Sequence, residues 1–528
     1  MTRFIFAFAA CWLSVTSVLA GPKVTVVHSE KPSDYEKQAI ALLSEQLKKL
    51  FEAEVTATAT APDGAEHLIL LGRPETNATI KLAVGDRWPK LSQEGHVLRT
   101  LGDKTPTLLI GGGSDLATYW AVSELGHHFG IRYLLVGDVY PPVKPALSLT
   151  GFDKVLEPKI STRTWYPGIG SHYDTGWWSL KEQEAVQRQL QKLKFNGMRI
   201  PVELGGRGDS LPAETVPAVF RALKIASDAP GRRVFKSATE FKNPDVDTSR
   251  GIAAVGIFLM AVEDSGKTFG LSRQSDGKVN PAEIIALSDN VLGPLPQSHL
   301  RRMEGMINST PDRSAFVATS RAAADFEAGL YYLSRRAWDP TMTADRAYHD
   351  LYTPIAGRDD SAGRLKLAFD FMEQANDQLT AVLKEHKLSF EPGPNMLVQL
   401  LTQKADLEPA FKPVLDTYIK SMNEFLRGHG NCDGSTRHLL FYYSKRGEYS
   451  LGLMNCCIAL SAAAKARQAK QPEVELEQME KAIEGLYMGL NALSEVARDD
   501  SDRGIIAVLN EWGFKPLNKE LDRLTEAQ

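Results

Sequence analysis

The hydrophobic rhythm of this chain changes once, near Pro294, and that change limits it to a layered α/β part followed by a helical part. Before it, short runs of Val, Ile and Leu alternate with stretches whose apolar residues recur every three to four positions. After it, helical spacing dominates. A chain of 528 residues is expected to hold two to four domains of ordinary size. With 43% apolar and 24% charged residues it has enough apolar material to fill sizeable cores. A net charge of -4 with no long run of one sign gives no electrostatic reason to expect nucleic acid or an anionic membrane as partner.

Residues 1–20 stand apart. Met1-Thr2-Arg3 supplies a short basic start, Phe4 to Leu19 is almost wholly apolar, and Val18-Leu19-Ala20 precedes Gly21. This is the pattern of a secretory signal peptide cleaved after Ala20, and it predicts a periplasmic or secreted protein. The apolar run is short for the ~20 residues of a membrane span and no second run follows, so no span is expected. Maturation would leave Cys432, Cys456 and Cys457. An oxidising compartment permits Cys432 to pair with one of the adjacent two, while buried free thiols on helices fit the sequence equally well.

From Gly21 to about Phe152 the pattern predicts strands at Val24–His28, Glu54–Thr58, His67–Leu71, His96–Leu101 and Thr107–Ile110. Ser33-Asp-Tyr-Glu36 reads as a capping box, and Tyr35, Ala39, Leu42, Leu43, Leu47 and Leu50 then form one helical stripe. A second helix runs from Asp115 to Phe129, stopped by Gly130, and residues 131–135 return as a strand. Residues 156–293 carry β/α signals: strands at Ile160–Tyr166, Gly197–Leu204, Arg233–Ser237 and Ile252–Val262, and helices after Ser179 and at Thr215–Ser227. Residues 294–528 read as helices at Ser314–Arg336, Ala344–Leu351, Ala362–His386, Ala405–Leu426, Tyr449–Ala469 and Glu473–Ala497. The predicted fold class is therefore α/β + α: an α/β domain (21–152), a β/α region (156–293) and an all-helical domain (294–528).

Three stretches carry a resemblance. Residues 108–125, Leu-Leu-Ile-Gly-Gly-Gly-Ser-Asp-Leu-Ala-Thr-Tyr-Trp-Ala-Val-Ser-Glu-Leu, run on to Gly130-Ile-Arg-Tyr-Leu-Leu135. This resembles the accessory domain that precedes the catalytic barrel in bacterial α-glucuronidases and β-N-acetylhexosaminidases. Leu193-Lys-Phe-Asn-Gly-Met-Arg199 resembles the first helix-to-strand passage of their barrels. Tyr332-Leu-Ser-Arg-Arg-Ala-Trp338-Asp-Pro340, with Tyr352 and Gly357, is similar to the helical segment after the barrel. The resemblance implies an accessory domain, a (β/α) barrel, a helical domain, and hydrolysis of O-glycosyl bonds in a carbohydrate partner. Residues 156–293 fall well short of the ~250 typical of a (β/α)₈ barrel, so a partial or shortened barrel is expected. A barrel retained for glycan binding or as a scaffold, without catalysis, is the alternative.

Glycoside hydrolysis needs two carboxyl groups across the scissile bond, and in a barrel these sit at the C-terminal strand ends. Glu263 and Asp264 follow the strand ending at Val262 and are candidate acid/base residues, although neighbouring strand positions face opposite ways and only one would reach the mouth. The hexosaminidases carry an adjacent Asp then Glu, and here the order is reversed. Glu203, at the end of Gly197–Leu204, and Asp174 are the candidate partner carboxylates, and Arg207 could bind a sugar carboxylate or hydroxyls. Arg163, Trp165, His172, Trp177 and Trp178 form the candidate sugar-binding set, aromatic faces for stacking and polar groups for hydroxyls, with core packing of the tryptophans as the competing role. Neither C-x-x-C nor H-E-x-x-H occurs, and Gly111-Gly-Gly113 lacks both the third glycine of a dinucleotide loop and the Lys-Ser/Thr of a P-loop. No metal and no cofactor are expected, and the three glycines are expected to serve tight strand-to-helix packing.

Overall fold

The computed structural model describes residues 21–102, 107–166, 180–204, 232–236, 254–262, 283–287, 300–309, 315–319, 324–388, 390, 396–403, 406–432 and 434–526. The first unit comprises β1 (Lys23–Val27), α1 (Asp34–Phe51), β2 (Glu54–Thr58), β3 (His67–Leu71), α2 (Ala78–Val84), β4 (His96–Leu101), β5 (Thr107–Gly112), α3 (Asp115–His128), β6 (Arg132–Leu134), β7 (Gly137–Val139) and β8 (Asp153–Leu156). Its main sheet runs β2-β1-β3-β5-β4-β8, parallel as far as β5 and antiparallel beyond. The predicted stripe of α1 is buried throughout against this sheet.

The capping box is only half formed. Ser33 Oγ accepts from the Glu36 N–H at 3.3 Å, but the Glu36 carboxylate turns to the Ser29 N–H (2.9 Å) and Oγ (2.5 Å). Tertiary burial decides this, because Glu36 faces the turn after β1 and serves a buried partner there. The glycines after β5 are where backbones meet: a Cβ on Gly113 would lie 1.8 Å from Ser92 O, and one on Gly112 would lie 2.5 Å from the Ala117 backbone. Close packing is their role, as the sequence predicts. Gly130 ends α3 at φ +91°, in the region where only glycine rests without strain.

The second unit holds β9 (Thr162–Tyr166), α4 (Leu180–Lys192), β10 (Gly197–Leu204), β11 (Arg232–Lys236), β12 (Ala254–Val262), β13 (Glu283–Leu287), α5 (Leu300–Asn308) and β14 (Ala315–Thr319). Its sheet runs β11-β12-β10-β9-β14-β13. Two expectations are corrected here. Residues 315–319 belong to a strand between β9 and β13, not to a helix over Ser314–Arg336, so the sheet extends beyond residue 294. Phe316 and Ala318 are buried at a two-residue period, and pairing on both sides overrides the helical preference of an Ala-rich run. The sheet is also mixed: β12 runs antiparallel to both β10 and β11. Among the described residues it does not close into a barrel.

The helical unit comprises α6 (Glu327–Arg336), α7 (Ala344–Ala356), α8 (Asp359–His386), α9 (Leu407–Asn431), α10 (Gly434–Gln468), α11 (Pro472–Val496), α12 (Asp500–Leu509) and α13 (Lys515–Glu526). Cys432, Cys456 and Cys457 are buried thiols, and Cys432 Sγ donates to Ala356 O at 3.2 Å. One apolar core is continuous through all three units. None of the described helices is long and apolar enough to cross a membrane.

Candidate functional site

Strand direction determines which edge of the second sheet can gather functional loops. β9, β10, β13 and β14 are mutually parallel, and β11, antiparallel to β12, runs with them. Tyr166, Leu204, Lys236, Leu287 and Thr319 therefore end toward one side. Glu203 stands one residue from the end of β10, in register with Val255. His172, Asp174, Trp177, Trp178 and Arg207 lie outside the described residues, in segments that follow β9 and β10.

Glu263 and Asp264 also lie outside the described residues, but the strand before them is informative. β12 ends at Val262 opposite Arg232, with Ala261 opposite Gly197, beside the start of β10 rather than its end. At about 3.3 Å per residue, Val262 is roughly 23 Å along the strand from Val255, the partner of Glu203. The sequence places Glu263, Asp264 and Glu203 at one mouth because it treats every strand as parallel. The antiparallel course of β12 removes that premise.

Arg163 and Trp165 share one face of β9 and are fully buried. Arg163 Nη1 donates to Glu94 Oε2 (2.9 Å), Ile160 O and Ser161 O, and Nε donates to Lys194 O (2.8 Å). Its guanidinium lies 5.3 and 5.2 Å from the ring centroids of Trp120 and Trp338. These are the contacts of a core cation joining three units. Asn196 completes the group, donating to Glu94 Oε1 (2.7 Å) and accepting from the Arg163 N–H (2.8 Å).

Alongside runs a second set of charges. Lys194 Nζ donates to Glu124 Oε2 at 2.7 Å, and Arg335 grips both oxygens of the same carboxylate at 2.7 and 3.2 Å. Burial pushes Glu124 up, yet Arg335 and Lys194 outweigh it and hold the carboxyl well below its ordinary range. His96 is held far below the usual imidazole value by burial and by Lys194. It is therefore neutral, and its Nε2 can accept from Lys194 Nζ at 3.0 Å. Burial lowers Lys194 to about 8, with Glu124 opposing the shift and Arg335 adding to it. Lys194 also sits at φ +62°, just past the end of α4, which costs a non-glycine residue about 1 kcal/mol. The left-handed turn aims its side chain inward, to the buried carboxylate.

Glu124 belongs to the first resembling stretch, Lys194 and Asn196 to the second, Arg335 and Trp338 to the third. The three stretches converge on one buried network that pins the units together. Sequence reading did not reach Glu94, Glu124, Lys194 or Arg335 as a group, because 70 to 211 residues separate Glu124 from its partners. Among the described residues no cluster of three or more His, Cys, Asp or Glu is placed to hold a metal ion.

No family model and no curated protein matches the chain by sequence. Solved structures do resemble it. A family GH115 4-O-methyl-α-glucuronidase with specificity for decorated arabinogalactans superposes with a TM-score of 0.57 at 12% identity, covering 93% of this chain and 80% of that one. A GH138 enzyme targeting pectin rhamnogalacturonan II gives 0.51 at 9% identity, covering 96% and 99%. At such identities the likeness is one of fold: the chain has a glycoside-hydrolase-like arrangement of α/β and helical units.

Proposed function

We propose that this protein is an exported glycan-acting protein of the glycoside-hydrolase type, with its sugar site at the edge of the second sheet where β9 and β10 end. A fold likeness running along nearly the whole chain to two carbohydrate-acting enzymes carries the reading. It favours an α-glucuronidase type of substrate over an N-acetylhexosaminidase type. Glu203 and Asp174 are the carboxyl pair of this reading, one protonating the leaving oxygen and the other acting as base or nucleophile. His172, Trp177, Trp178 and Arg207 would bind the sugar, the rings by stacking and the arginine by paired hydrogen bonds to a uronate carboxylate. Arg163 and Trp165 act beneath that edge, holding β9 to the core.

A second reading, glycan binding without hydrolysis, draws support from the antiparallel β12. Its end, which precedes Glu263 and Asp264, lies at the opposite side of the sheet from Glu203.

The test is release of sugar from uronate-bearing oligosaccharides and N-acetylglucosaminides by residues 21–528, beside Glu203→Gln, Asp174→Asn, Glu263→Gln and Asp264→Asn. Hydrolysis is expected to fall by about 10²–10⁴ in Glu203→Gln and Asp174→Asn and to persist in the other two. Glycan binding with no turnover by the folded wild type would establish the second reading, and loss only in Glu263→Gln or Asp264→Asn would move the site.

A further inference from the structure

The hairpin β6–β7 of the first unit rests against the helical unit over a buried group of acids. Asp325, Glu327, Asp499 and Asp502 are all buried, and the guanidiniums of Arg446 and Arg498 stand among them. Glu327 accepts from the backbone N–H of Leu135 (2.7 Å) and of Val136 (3.3 Å), and pairs with Arg498 at 3.3 Å. Its carboxylate thus clips the hairpin to the segment joining α11 and α12. Asp502 accepts from the Arg498 N–H at 2.8 Å, and Asp499 caps α12 by accepting from the Ser501 and Asp502 N–H groups. Arg446 on α10 holds Asp325 at 3.1 and 3.3 Å.

The Tyr442 hydroxyl is the informative atom. It lies 3.3 Å from Asp325 Oδ1 and 3.1 Å from Asp502 Oδ1. A phenol owns one hydrogen, so two ionised carboxylates would have to share it, whereas a proton on one of them lets the phenol donate to one and accept from the other. The charges agree: four buried carboxyls face two guanidiniums, and an unpaired buried charge is expensive. A cavity of about 450 Å³, lined in part by Val136, Asp138, His438, Tyr442, Glu495 and Arg498, brings solvent to the edge of the group. The other acids on that cavity already have cations, Asp138 with Lys192 at 2.7 Å and Glu495 with Lys445 at 3.1 Å.

We propose that this group is a proton-operated clasp between the first unit and the helical unit, closed while Asp502 holds a proton and loosened when it loses it. Burial, then Asp499 and Asp325, raise Asp502 to about 7; Arg498 and its own backbone N–H oppose the shift. Such a carboxyl releases its proton at about 4 in an unfolded chain. Its stabilisation is therefore complete below about 4 and is lost as pH rises through about 7. Arg503, next to Asp502, pairs with Glu182 at 2.9 Å near the start of α4, so α12 links the clasp to the second unit.

The experiment is denaturant unfolding of the full mature chain, wild type and Asp502→Asn, between about pH 5 and pH 8.5. The folding constant of the wild type should fall up to about tenfold per pH unit across the lower part of this range. The advantage of Asp502→Asn, which cannot ionise, over the wild type should grow by about tenfold or more between pH 5 and pH 8. Parallel pH profiles would overturn the proposal. Should that variant fail to fold, infrared difference spectra of the wild type decide. A protonated-carboxyl band present near pH 5.5 and gone near pH 8.5, with hydrogen exchange at Leu135 and Val136 quickening over the same interval beyond the intrinsic base-catalysed rise, is expected. Absence of either change would overturn the clasp.

Discussion

At the scale of single residues, the buried carboxylate of Glu124 is the strongest determinant of how the units dock. Two cations from distant parts of the chain rely on it, Lys194 and Arg335. Removing one partner of a buried pair leaves an uncompensated charge, which costs about 3–5 kcal/mol. Glu124→Gln strands two cations, whereas Lys194→Met leaves Glu124 still gripped by Arg335. Glu124→Gln should therefore lower stability more than Lys194→Met, as read by the denaturation midpoint. The reverse order would show that Lys194, and not the carboxylate, is the centre of the network. Arg163 illustrates the same physics. An arginine beside a tryptophan near the end of a predicted strand suggests sugar recognition, yet carbonyl oxygens, Glu94 and two indole faces surround it.

At the scale of elements, β14 does most to define the second sheet. It joins β9 to β13 and carries Phe316, which meets Phe195 edge-on at a centroid distance of 5.7 Å. Truncating a buried phenylalanine typically costs about 3–5 kcal/mol through lost burial and the cavity left behind. Phe316→Ala should reduce stability by that order in chemical denaturation. A loss under about 1 kcal/mol would mean that residues 315–319 are not a core strand. The course of β12 matters equally, because in a sheet an acid's place depends on strand direction as well as on its distance from a strand end.

At the scale of the molecule, the α/β, mixed-sheet and helical units share one apolar core, and the ion network crosses it. Units held by such a buried interface should not unfold one by one. Calorimetry of the mature chain should show a single transition that moves little with added salt, since buried pairs are weakly screened. Two resolved transitions would show that the first unit melts separately. The three resembling stretches meet in this docking. Their presence therefore speaks to architecture and leaves the chemistry to the sheet edge.

Much of the local structure was legible in the sequence. The stripe of α1, five of the six strands of the first sheet, the span of β10 and most of each long helix follow from periodicity, which each segment carries within itself, whereas β8 and the start of α10 at Gly434 were not legible. Interactions across tens or hundreds of residues leave no such trace. Only the tertiary structure decided that residues 315–319 pair as a strand, that β12 runs against its neighbours, and that Glu36 leaves its capping box for Ser29. It alone also gathered Glu327, Asp502 and Tyr442 behind the hairpin. The physical reason is common to all four: strand direction, burial of charge and sharing of protons depend on which surfaces meet, and that is a property of the folded chain.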